Sequence, residues 1–187
     1  MTDNETAGVL YAVVCGAGPA SRIGTFVTLA QAEGWEVCCI ATPTAVEHFL
    51  DVPMLQDLSG HQVRSNYRAS DDEPFPRADA IAVAPATYNT INKWAAGISD
   101  TYALNLLAEL TGLSVPTAVL PFVNTALAAN RVFTRSIDEL RAAGVNILFG
   151  PDGFRPHPPR MGSSVLDHYP WHLALDALRE HNKTRAS

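Results

Sequence analysis

The sequence predicts an α/β layered fold built on a mostly parallel sheet. Three observations carry that expectation. Residues 9–15, 36–41, 80–84, 115–120 and 145–149 are short runs with little or no polar alternation, the mark of strands covered on both faces. Longer stretches between them place apolar residues at helical spacing, and Gly, Pro and Thr punctuate the junctions. Strands and helices that alternate with short turns pack as helices against a parallel sheet.

The elements follow in order. After the first run, Gly16-Ala17-Gly18-Pro19-Ala20-Ser21 forms a turn, and residues 22–33 put Ile23, Phe26, Val27 and Ala30 on one helical face, closed by Gly34. The second run ends at Thr42-Pro43-Thr44, with Thr44 as N-cap of a short helix over 45–50. Residues 51–77 give the weakest pattern: Val63 fits a short strand, and 70–76 a loop. The third run leads into a helix over 91–96 that breaks at Gly97, and Asp100 caps the next helix, running to Leu110. Pro121 stops the fourth run. Residues 125–143 read as helix closed by Gly144, and 171–181 as a terminal amphipathic helix.

Composition sets the class. With 187 residues, 47% hydrophobic and 17% charged, the chain has enough apolar material for one domain spanning 1–187. Residues 1–7 and 182–187 read as polar tails, and 150–165, rich in Gly and Pro, as a flap or interface arm. A net charge of −6 without a basic patch argues against a nucleic-acid partner. No run reaches the ~20 apolar residues of a membrane span. The acidic, polar start is unlike a leader peptide, so a cytoplasmic location is expected. Cys15, Cys38 and Cys39 have no metal-binding spacing and read as free core thiols of a reducing compartment, with no metal expected.

Ligands of such sheets sit at the carboxyl ends of the strands. Gly16-x-Gly18-x-x-Ser21 has the form of an anion-binding turn, although a tight strand–helix connection would look the same. A dinucleotide site would want an acidic residue after the second strand. Thr42-Pro43-Thr44 stands there instead, and its hydroxyls suit a phosphate or a flavin edge better. The third turn, Ala84-Pro85-Ala86-Thr87-Tyr88-Asn89-Thr90, is densest in donors: two hydroxyls, an amide and helix N-terminal N–H groups. Thr87 as a plain N-cap with Asn89 on the helix surface is the structural alternative.

That third turn, with Lys93, Gly97 and Asp100 behind it, resembles the Pro-Ala-(Ser/Thr)-x-Asn-Thr motif of the homo-oligomeric flavin-containing cysteine decarboxylases, the family of peptidyl-cysteine and phosphopantothenoylcysteine decarboxylases. The resemblance runs from about Leu10 to Phe149. It implies a three-layer, flavodoxin-like (Rossmann-like) sheet and FMN bound at the strand ends. Gly16, Gly18, Ser21, Thr42, Thr44, Ala86, Thr87, Asn89 and Thr90 would lie near FMN. It further implies a homotrimer, or a dodecamer of trimers, with FMN at subunit interfaces. In such enzymes FMN takes a hydride equivalent from a cysteine side chain, and the thioaldehyde formed is the electron sink for loss of CO2. The substrate would be a carboxylated small molecule or a peptide ending in cysteine.

The family's second motif, Pro-x-Met-Asn-x-x-Met-Trp, reads Pro121-Phe122-Val123-Asn124-Thr125-Ala126-Leu127-Ala128 here. The resemblance gives Asn124 the substrate carboxylate; a turn-forming Asn is the alternative. Two features depart from the family. Its catalytic histidine precedes the Ala78-Asp79 pair, where this chain has Ser70-Asp71-Asp72-Glu73. Asp71 or Asp72 is a candidate replacement base, and His61 a candidate displaced one. The cysteine of the family's substrate clamp is absent from 150–164. Two other functions therefore stay open: a flavin prenyltransferase-like enzyme using Arg131, Arg135 and Arg155 for a prenyl phosphate, and a catalytically silent flavin-binding or regulatory subunit.

Overall fold

The computed structural model describes residues 7–67 and 74–185, with side chains as far as His181. Five strands form one sheet: β1 (Gly8–Val14), β2 (Trp35–Ala41), β3 (Ala80–Ala86), β4 (Thr117–Pro121) and β5 (Asn146–Ile147). All neighbours pair in parallel, in the order β2-β1-β3-β4-β5. This is the flavodoxin-like order, whose switch point falls between β1 and β3.

Alternation along each strand divides the core in two. Leu10, Ala12 and Val14 point to the face covered by α1 (Ile23–Ala32). Tyr11, Val13 and Cys15 point to the other face. On the α1 side also lie α2 (Pro43–His48) and α3 (Val52–Ser59), with Leu55 of α3 buried in that core. The opposite layer takes α4 (Tyr88–Ala95), α5 (Tyr102–Gly112) and α7 (Arg131–Ala142), preceded by the one-turn α6 (Thr125–Ala128). The terminal α8 (His172–Arg185) returns to the α1 side and packs on β3 and β4. The result is three layers, helix on sheet on helix. Among the described residues no helix is long and apolar enough to cross a membrane.

Several local expectations are corrected. Thr44 is not the cap of α2: Pro43 occupies the first turn and Thr42 takes the cap position, because proline's fixed φ suits a helix start. Asp100 does not cap α5. Thr101 does, accepting from the Leu104 N–H at 3.2 Å, while Asp100 pairs with Lys93. Helix α4 begins at Tyr88 rather than residue 91, since Thr87 caps it. The helix read over 125–143 is two helices, broken where Asn130 accepts from the Val132 N–H at 2.9 Å. Within the weakly patterned 51–77, Asp51 caps α3, and Ile40 pairs with Arg64 in an isolated bridge beside Val63. The two glycine closures hold: Gly34 and Gly144 follow their helices with φ of +86° and +88°.

Cys15, Cys38 and Cys39 are buried and free. Burial pushes the thiols of Cys38 and Cys39 up to about 12 from 9.0. The folded chain thus keeps protons that the unfolded chain releases above pH ~9. Stability should be intact below pH ~9 and fall as pH approaches 12; urea midpoints across that window measure it, and Cys39→Ala should flatten the slope.

Phe133 is fully buried in the α7 layer, with the Tyr88 ring stacked at 5.6 Å and Phe149 edge-on at 5.4 Å. Phe133→Ala should cost about 3–5 kcal/mol in chemical denaturation, because two rings lose their common partner.

Candidate functional site

The site is built from the turns that follow β1, β2 and β3. At the end of β1, the Cys15 N–H donates to Pro85 O at 3.1 Å, and the Thr42 N–H donates to Val14 O at 2.9 Å. These bonds hold the three strand ends together. The Gly16 N–H then donates to Thr42 Oγ1 at 3.2 Å. A Cβ on Gly16 would sit 2.7 Å from Thr44 Cγ2 and 3.2 Å from the Ala45 nitrogen. Only glycine lets the first turn approach the second this closely.

Between these turns lies a cleft of about 400 Å³. Gly16, Thr42, Pro43 and Thr44 form one wall; Thr87, Asn89, Thr90 and Lys93 form the next, from the start of α4. Thr101 and Leu104 of α5 complete it. Thr87 Oγ1 accepts from the Thr90 N–H at 3.2 Å and lies 3.0 Å from Thr90 Oγ1. Lys93 is the cation of this lining, and its Nζ donates to Asp100 Oδ2 at 2.5 Å. No carboxylate is among the described lining residues. Hydroxyls, an amide, one ammonium and the N-terminal end of α4 make a donor-rich, acid-free surface, which fits a phosphoryl group. The volume lies within the usual ~300–1,000 Å³ range of small-molecule sites.

The structure brings together six of the nine residues expected near a flavin: Gly16, Thr42, Thr44, Thr87, Asn89 and Thr90. Three lie outside the cleft lining. Ala86 is buried within the sheet, and its carbonyl accepts from the Phe122 N–H at 2.8 Å. Gly18 is taken up by the chain's own arm, since a Cβ there would be 2.8 Å from Leu166 Cδ2. Ser21 is exposed, its hydroxyl donating to Gly18 O at 3.1 Å.

Asn124 follows β4 and caps α6, its Oδ1 accepting from the Leu127 N–H at 3.0 Å. That leaves its NH2 group as the part able to serve a ligand. His61 is elsewhere. It pairs with Glu36 Oε1 at 2.9 Å and packs edge-on against Phe75. Glu36 is the second residue of β2 and Thr42 follows its end, a separation of about 20 Å at ~3.3 Å per residue. The structure therefore does not bring His61 to the cleft. Asp71 and Asp72 lie outside the described residues. Arg131, Arg135 and Arg155 are absent from the lining: Arg135 faces a groove between α4 and α7, and Arg155 donates to Pro151 O at 3.5 Å.

The arm packs on its own chain. Its short 3-10 helix, Gly162–His168, sets Leu166 against Gly18, and Asp167 pairs with Arg22. His157 is buried with its ring 4.9 Å from Phe122, and its carbonyl accepts from the Thr125 N–H at 2.8 Å. The Tyr169 hydroxyl donates to Leu120 O at 2.6 Å. The arm thus covers the ends of β1 and β4 beside Asn124. Sequence reasoning missed Thr101, Leu104 and His157. The capping pattern at Thr101 was a usable signal; nothing local marks the other two.

A family model described as Flavoprotein matches residues 3–164. The chain belongs to the flavoprotein family. A curated relative is the coenzyme A biosynthesis bifunctional protein CoaBC of Borreliella burgdorferi (strain ATCC 35210 / DSM 4680 / CIP 102532 / B31), 26% identical over an alignment 148 residues long that covers 75% of this flavoprotein and 37% of the relative. The chain thus spans little more than a third of that relative's length. Among solved structures, the FMN-dependent cysteine decarboxylase SpaF superposes with a TM-score of 0.68 at 21% identity, covering 92% of this chain and 98% of the other. Peptidyl-cysteine decarboxylase EpiD gives 0.64 at 23% identity, covering 78% and 87%. These neighbours share the three-layer fold of this flavoprotein.

Gly16→Ala tests the close approach of the turns. It should cost about 1–3 kcal/mol by overpacking against Thr44 and the α2 backbone, read as a lowered melting temperature.

Proposed function

We propose that this flavoprotein binds FMN in the cleft between β1, β2 and β3 and uses it in the oxidative decarboxylation of a carboxylated small molecule or a peptide ending in cysteine. The observation that carries the cofactor reading is the acid-free donor set of Thr42, Thr44, Thr87, Asn89, Thr90 and Lys93 at the switch point of the sheet. The fold neighbours named as FMN-dependent and peptidyl-cysteine decarboxylases support the reaction class.

The chain's residues have separable tasks. Thr87, Thr90 and the N–H groups at the start of α4 would hold the phosphate, and Lys93, which also pairs with Asp100, would lie beside its charge. Thr42 and Thr44 would border the cofactor on the β2 side. Asn124, one strand further along the sheet, offers its NH2 group to the substrate carboxylate while its Oδ1 stays on the Leu127 N–H. Bound FMN would supply a two-electron acceptor, the chemistry these side chains lack. The arm, packed at the end of β4, would shield that side of the site from bulk water. In this reading the chain self-associates, as a homotrimer, with FMN at subunit contacts, and works in the cytoplasm.

One observation favours a second reading, a flavin-binding subunit without turnover of its own. No histidine lines the cleft among the described residues, so no imidazole is placed there to take a proton.

The absorption spectrum decides the cofactor: purified protein supplied with FMN should show the bands of a bound oxidised flavin. Anaerobic addition of cysteine-terminal peptides should then bleach the flavin and release CO2. Bound flavin that never bleaches supports the second reading. Asn124→Asp keeps the α6 cap and sets a negative charge against the substrate carboxylate. It should leave FMN binding intact and lower kcat/KM by about 10- to 150-fold, the loss of a charge-assisted hydrogen bond.

A further inference from the structure

No imidazole lines the cleft, yet one stands beside Asn124 at the end of β4. His157 of the arm forms a parallel bridge with Asn124, and its carbonyl accepts from the Thr125 N–H at 2.8 Å. Bridged residues carry their side chains on one face of the pair, with backbones roughly 5 Å apart. Alternation puts Phe122 on that same face and Val123 on the other. The His157 ring packs there, its centroid 4.9 Å from that of Phe122. The imidazole is thus set next to the amide assigned to the substrate carboxylate.

Its two nitrogens differ. Nδ1 lies 2.9 Å from Pro158 O, and a carbonyl only accepts, so Nδ1 carries the proton. In the neutral ring Nε2 then holds a lone pair. Nε2 has no hydrogen-bond partner among the described residues and is not shut away from solvent; the enclosed side-chain atom without a partner there is Asn92 Oδ1. Gly162 borders this edge of the ring. A Cβ on it would stand 3.5 Å from Nε2 and 3.4 Å from Cε1. A lone pair oriented by a backbone bond, open at one edge and beside a carboxylate-binding amide, suits a proton acceptor.

We propose that His157 is a catalytic residue whose Nε2 takes the proton of the substrate thiol while Asn124 holds the carboxylate. This inference rests on the decarboxylase reading of the site and supplies the base that the cleft lining lacks. In a terminal cysteine only Cα and Cβ separate the carboxyl group from sulfur, a span that side chains on neighbouring strands can match. The S–H proton moves to Nε2 as a hydride leaves Cβ for bound FMN, giving the thioaldehyde. Loss of CO2 leaves its electron pair on the substrate as an enethiolate. The proton then returns from Nε2 to sulfur.

The test uses the full-length protein loaded with FMN and has two readouts. The first is long-range 1H–15N NMR of the imidazoles, with His157→Phe to assign the line. It should show Nδ1 protonated and Nε2 bare. With the flavin reduced beforehand, so that no oxidation follows, a peptide ending in cysteine should shift the Nε2 line and one ending in alanine should not. The second is anaerobic bleaching of oxidised flavin by the cysteine peptide. His157→Phe keeps a ring against Phe122 and should slow bleaching about 100- to 10,000-fold, the share of a positioned base. FMN binding should persist, because the ring is absent from the cleft lining. Should that variant fail to fold, Gly162→Ala keeps the imidazole but covers its Nε2 edge, and should slow bleaching and abolish the NMR shift. The inference is overturned if Nε2 ignores the cysteine peptide, if the alanine peptide shifts it equally, or if His157→Phe bleaches like wild type. Wild type that binds no flavin, or never bleaches it, defeats the reading of the site and this inference with it; bleaching indifferent to His157 defeats the inference alone.

Discussion

Strands β1 and β3 lie side by side and run the same way, yet the helices that follow them leave toward opposite faces of the sheet. Neither α1 nor α4 can then roof the gap above the two strand ends. Backbone groups exposed in that gap must find partners in the turns themselves. Here they do so across strands: Cys15 with Pro85, Thr42 with Val14, Gly16 with the Thr42 hydroxyl. The gap is therefore stiff as well as open, a combination that suits a bound ligand.

The side chains at this gap serve fold and ligand together. The Thr87 hydroxyl satisfies the first turn of α4 and also borders the cleft. Thr101 does the same for α5. Asn124 divides its amide, with the oxygen on the backbone of α6 and the nitrogen left over. A residue with two polar functions can cap a helix and still meet a ligand. This explains why Thr and Asn, rather than charged residues, collect at the strand ends.

Much of this was legible in the chain itself. Strand runs buried on both faces announced the parallel sheet, and the turn carrying Thr87, Asn89 and Thr90 pointed to the end of β3, where a cleft opens. Six of the nine residues expected beside a flavin do line one cleft. What the chain did not announce has physical causes. Gly18 lies outside the cleft lining because Leu166, far along the chain, packs beside it. Leu104 reaches the cleft from a helix whose position depends on packing rather than on local pattern. His157 lies in a Gly- and Pro-rich stretch, and its burial against Phe122 comes from the arm folding back. Helix α3 escaped notice because Pro53 follows its first residue, where a proline belongs yet reads as a break.

One feature of the sheet bears on how this chain can diverge. On the α8 side, the central strand β3 carries only Ala80, Ala82 and Ala84, while β1 and β4 on either side carry Leu10 and Leu120. The terminal helix rests in that shallow trough, and Tyr169 just before it is tied to the Leu120 carbonyl. Larger residues along the trough's floor would lift the helix and drag the tether with it, whereas exchanges among the bulky flanks can be absorbed by repacking. Drift in this lineage should thus leave the three methyl-bearing positions nearly frozen, while the rims on both sides wander among aliphatic residues.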